Sequence, residues 1–114
     1  MNNSMNAKST LSSAISAFER KNTLKKKDMY RFIDSYRLLG EEYVKDREYI
    51  KAMESFTDGI SLFVRENIGS GLPGVSDVGK LYSDYGDIEY FVSGDMDGAL
   101  QSYQDAVSND YDIG

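Results

Sequence analysis

Two stretches of this chain place a small residue four positions ahead of a large aromatic one. Ala52 precedes Phe56 in "DREYIKAMESF", and Ala99 precedes Tyr103 in "GDMDGALQSY". Spacing of four sets both side chains one turn apart on a single helix face. The small residue lets a second helix approach closely, and the aromatic fills the space beside that contact. The figure therefore asks for helices in pairs, and it asks twice.

The rest of the chain agrees. There is one Pro, no alternation of apolar and polar residues, and apolar residues recur at helical spacing instead. The spacing predicts a first helix near Ser9–Lys21, with Leu11, Ala14, Ile15 and Phe18 on one face and Ser9 or Thr10 as N-cap. A second is predicted from about Asp28 to Lys45, with Tyr36, Leu39, Tyr43 and Val44 as its stripe. A third, about Glu48–Ile68, carries Ala52, Phe56, Ile60 and Phe63. "GSGLPGVSD" (69–77) reads as a loop. A fourth helix is expected from Ser76 or Asp77 to just before Gly94, with Val78, Leu81, Tyr85, Ile88 and Val92. The fifth, Met96–Ser108, carries Ala99, Leu100, Tyr103, Ala106 and Val107. The expected organisation is all-α, about five helices in antiparallel pairs within one domain. Its parts are an N-terminal helix and basic linker (1–27), a first pair (28–68), a Gly/Pro loop (69–76) and a second pair (77–114).

Composition removes most catalytic chemistry. The chain has no Cys and no His, which excludes thiolate catalysis, Ser/His/Asp arrangements and the usual nitrogen and sulfur metal ligands. No stretch approaches the ~18 apolar residues of a membrane span, and the N-terminus lacks the apolar run of a secretory signal. The expectation is an intracellular, cytoplasmic chain. The net charge of −6 argues against a general nucleic-acid binder. It also hides a split: residues 1–57 carry a net +3 and residues 58–114 a net −9. That asymmetry suits steering of a charged protein surface or head-to-tail self-contact; the alternative is two unevenly decorated solvated faces.

Residues 33–66 resemble a tetratricopeptide repeat, a unit of about 34 residues made of two antiparallel helices. The motif positions are occupied by Tyr36, Leu39, Gly40, Tyr43, Ala52, Phe56 and Gly59, while Val64 stands where the family has Pro. Residues 80–113 resemble a second unit through Tyr90, Ala99, Tyr103 and Ala106. Its first half departs from the pattern, with Ser83, Gly86 and Asp87 at the motif places. A shift of one residue brings Tyr82 and Gly86 into register, at the cost of one inserted residue. Ala14 and Phe18 repeat the four-place figure and make the first helix a candidate half of an earlier unit.

Other motifs have plainer readings. "SGDMDGALQSYQ" has Ser93 and Gln104 where a calcium loop needs its outer ligands, and the repeat explains it as a turn with a capping Asp. "GSGLPGVSD" lacks the ending of a phosphate loop. "RKNTLKKK" reads as a solvated connection or as a dock for an acidic partner. Tyr36, Tyr43, Tyr90 and Tyr103 fall on packing positions, so core is their expected place. Carboxylate pairs such as Glu41/Glu42 are expected to face water. No catalytic residue, metal or cofactor is expected.

What the resemblance implies is a groove lined by the first helix of each unit and holding a peptide or helix of a partner protein. The corresponding positions are Asp34, Arg37, Glu41, Val44 and Lys45, then Leu81, Asp84, Ile88, Phe91 and Val92. Asp84 has the wrong sign for gripping a partner's terminal carboxylate. The strip Leu81, Ile88, Phe91 and Val92 either receives an amphipathic helix or is buried within the chain. Two units leave uncovered ends, so self-association as a homo-oligomer, or membership of a longer repeat array, is expected. The competing expectation is a purely structural helical domain with no groove.

Overall fold

The structure, a computed structural model, describes residues 3–66 and 78–109, all-helical apart from short connections. Helix α1 spans Asn3–Glu19, α2 Lys26–Lys45, α3 Tyr49–Glu66, α4 Val78–Ile88 and α5 Met96–Ser108. A π-helical turn, Glu89–Ser93, extends α4. The loop expected at 69–76, and the start of the fourth helix at Ser76 or Asp77, lie outside the described residues.

The starts of two helices differ from expectation. Helix α1 is already formed by Asn3, so Ser9 and Thr10 are interior, exposed positions rather than caps. Helix α2 begins at Lys26, which moves Asp28 from the cap into the first turn. Its carboxylate still suits the positive end of the helix dipole there. Helix α5 begins where the sequence placed it, because the Asp95 carboxylate caps it by accepting the Gly98 N–H at 2.9 Å.

Consecutive helices pack together, most extensively α2 on α3 and α4 on α5. Helix α4 also lies against α3 and touches α2, while α1 covers α2 on its other side. Ile15 of α1 joins Tyr30, Ile33, Phe56 and Leu81 in one continuous core. The N-terminal helix is thus part of the same packed body. Lys8 ties it to the α2–α3 turn by bonding Asp46 at 2.6 Å and Glu48 at 3.0 Å.

Close approach within each pair rests on a glycine. A Cβ at Gly40 would overlap the Phe56 ring, and one at Gly86 would meet the Tyr103 ring at 2.9 Å and 3.1 Å. Ala52 and Ala99 are fully buried beside these contacts. The two turns also match, since Arg47 (φ 59°) and Gly94 (φ 70°) both take left-handed backbone.

The irregularity in the second unit has a physical form. A π-helical turn holds one residue more than the α-helical path it replaces, and Glu89–Ser93 lies between Gly86 and Ala99. It absorbs the inserted residue that the sequence register requires. The consequence corrects one expectation. Tyr90 is 46% exposed, and the neighbouring Glu89, at 7%, occupies the buried place. Its carboxylate accepts from the Ser102 hydroxyl of α5.

Candidate functional site

The junction between the two helix pairs brings four of the groove residues together and neutralises them against each other. Arg37 on α2 is buried, its guanidinium donating to Asp34 at 2.8 Å and to Glu41 at 2.8 Å. Glu41 also accepts from Lys80 of α4, whose ammonium reaches Asp84 one turn on at 3.3 Å. Glu41 and Asp84 thus hold the same Lys80 ammonium from opposite helices. Two carboxyls around one cation disfavour each other's charge, so one is raised and the other lowered. Burial, then the hydrogen bond to Glu41 and its charge, pushes Asp84 up to about 8. Burial would raise Glu41 as well, but hydrogen bonds from Asp84 and Lys80 and the Arg37 charge outweigh it and hold Glu41 down at about 2. A small cavity of about 160 Å³ lies beside the cluster, lined also by Val44, Phe56 and Ile88.

This corrects the expectation that these carboxylates and Arg37 offer free charges to a ligand: each has its partner inside the chain. It also resolves the apolar strip. Leu81 and Ile88 are core, because α4 turns them toward α2 and α3. Phe91, 76% exposed, and Val92 remain on the surface, since the π-helical turn carries them beyond the packed part of α4. Lys45 is exposed and paired with Glu42 at 2.9 Å. Val44 is half-buried.

The accessible apolar surface is therefore displaced toward the turns. Val92 shares a cleft of about 450 Å³ with Arg47, Tyr49, Ile50 and Lys51 at the start of α3. Ile50 is among the most exposed apolar residues described. Sequence reasoning had assigned it nothing; its one signal is an apolar residue off the buried stripe of α3, opposite Ala52 and Phe56. The Tyr90 and Phe91 rings meet edge-on with centroids 4.7 Å apart, which gives this surface an aromatic step.

A second cleft, about 580 Å³, opens where the end of α1, the start of α2 and the end of α3 converge. Phe18, Phe32 and Tyr36 stack successively along its wall, with centroids 5.3 Å and 5.4 Å apart. Asp58 at its rim is raised by burial and by the charges of Glu54 and Glu19. Among the described residues no group of three or more His, Cys, Asp or Glu is arranged to hold a metal ion, and no helix is long and apolar enough to cross a membrane. Comparison with models of protein families, with curated proteins and with solved structures finds no match to this chain.

Proposed function

We propose that this chain is a protein-binding module of tetratricopeptide type, working through contact rather than catalysis. The observation that carries the proposal is the equivalence of the two helix pairs. Gly40 against Phe56 recurs as Gly86 against Tyr103, and Arg47 recurs as Gly94 in the left-handed position of the turn. Helix α4 leaning on α3 is the contact that successive units of such a stack make. The binding surface proposed is Phe91 and Val92 with Ile50 and the Lys45 end of α2, where apolar side chains stand exposed beside charge. A partner's peptide or helix laid there buries aromatic area that nothing in the unit itself covers. The ion cluster around Glu41 joins the two units and is not the contact surface.

Affinity capture from the native cell extract, comparing the intact protein with Phe91→Glu, tests this reading. The expected result is loss of specific partners with the variant, which is exposed at that position and folds normally by circular dichroism. Equal recovery of every partner defeats the placement at Phe91.

The competing reading, a structural helical domain without a ligand surface, is favoured by the burial of Arg37, Leu81 and Ile88. The exposure of Phe91 speaks against it.

A further inference from the structure

One helix face is largely covered in the first unit and largely exposed in the second. On α3, Tyr49, Met53, Phe56 and Ile60 form a stripe packed into or against the core, with α4 lying along that helix. Leu81 of α4 comes within 3.1 Å of a Cβ placed at Gly59, and Tyr82 meets Phe63 edge-on at 6.4 Å. The corresponding positions on α5 are Met96, Leu100, Tyr103 and Val107, which share one face at spacings of four, three and four. Leu100 and Val107 are each 58% exposed, and Met96 is exposed as well. The stripe that is partly or fully buried on α3 is exposed at three of its four positions on α5.

The charge around it identifies the kind of helix that fits. Residues 78–109 contain a single basic residue, Lys80, which is bound to Glu41 and Asp84, and six acidic ones, of which Asp84 and Glu89 are taken up inside the fold while Asp87, Asp95, Asp97 and Asp105 reach the surface. Asp97 and Asp105 lie on α5 itself. The apolar face of α1, which would be the basic half's contribution to a head-to-tail dimer, is already used against α2, where Ile15 is buried. A second copy therefore brings no free apolar helix of opposite charge.

We propose that the α5 stripe Met96–Leu100–Tyr103–Val107 docks an amphipathic helix from another polypeptide, apolar on one face and flanked by Lys or Arg. The proposal rests on the repeat-module reading above but uses a different surface from Phe91 and Val92. Apolar burial along the stripe supplies the contact, and the surrounding carboxylates select the basic partner and exclude acidic ones.

The test is fluorescence anisotropy of the full chain with three labelled synthetic peptides of about 16 residues, long enough to form four turns. One has leucines at helical spacing flanked by lysines, one has glutamates in place of the lysines, and one has the lysine composition in scrambled order. The Lys-flanked helix is expected to bind saturably and to weaken with salt, with the other two at least about tenfold weaker. The double variant Leu100→Ser/Val107→Ser should lose at least about tenfold in affinity for it, and Asp97→Asn/Asp105→Asn should lessen the salt dependence. Equal binding to the Leu100→Ser/Val107→Ser variant, or equal binding of the scrambled peptide, reduces the effect to charge alone and overturns the proposal. So does a dimer in sedimentation that the double variant dissolves, because the occupant is then a second copy. Loss on Phe91→Glu with the double variant intact assigns the peptide to the earlier surface, which removes this proposal and leaves the module reading standing.

Discussion

Glu41 on α2 and Asp84 on α4 are bridged by Lys80 across the junction of the two helix pairs, its ammonium donating to both carboxyls. The contact makes the fit of the second pair on the first depend on a proton. Asp34 and Arg37 complete the cluster from the α2 side.

The pH dependence follows from the directions of the two shifts. Asp84 is raised from 3.8 to about 8, so between those values the folded chain holds a proton that the unfolded chain has released. Its contribution therefore falls as pH rises through that window. Glu41 is lowered from 4.5 to about 2, so its contribution is present above about 4.5 and is lost as pH falls toward 2. Asp84→Asn, which keeps a donor facing Glu41, should raise stability near pH 8 by about 1–2 kcal/mol, a figure reduced for partial solvent access. Urea unfolding across a pH series checks it. An unchanged slope in the variant would rule out the proton on Asp84.

Gly40→Ala should destabilise the protein by about 2 kcal/mol despite the better helix propensity of Ala. The added Cβ overlaps the ring of the fully buried Phe56, which yields only toward the small cavity it lines beside Glu41. Gly86→Ala should cost less, about 1 kcal/mol, because Tyr103 is only half-buried and its ring can tilt. Chemical denaturation of both variants tests the order, and a larger loss at position 86 contradicts it.

Arg47→Gly should stabilise by about 0.5–1 kcal/mol, because a side chain at φ 59° carries a strain that glycine does not. Gly94→Ala should destabilise by about 1 kcal/mol, since it introduces the same strain at φ 70°. The paired thermal shifts, opposite in sign, form the check. A loss on Arg47→Gly would mean that the added chain entropy of glycine outweighs the relieved strain.

Deleting Tyr90 should be tolerated, with a melting temperature within about 4 °C of the parent. The deletion converts the π-helical turn to ordinary α-helix and leaves Glu89 in its buried place. Deleting Ser83 from the regular part of α4 should unfold the second pair, because it rotates Leu81 and Val78 off the core relative to Gly86 and Ile88. Circular dichroism melts of the two deletions distinguish these outcomes.

The sequence alone determined what local spacing can determine. Helical periodicity specified all five helices, and the span of α5 agrees residue for residue, because Asp95 carries its own capping signal. Small residues at 40, 52, 86 and 99 located the close contacts, since a missing side chain is visible in a sequence. The one-residue irregularity of the second unit was legible as a slip in register. Tertiary structure alone decided where that residue went, and so exposed Tyr90 and Phe91 while burying Glu89. It also decided that Arg37, Glu41 and Asp84 satisfy one another. Spacing along α2 and along α4 gives no sign of which charges meet across them, because that depends on the angle and offset at which α4 settles on α2 and α3. Packing also left Tyr49, Met53 and Ile60 of α3 half-buried and Leu100 and Val107 of α5 open. The two stripes read alike in the chain; the presence of a neighbouring helix is what separates core from surface.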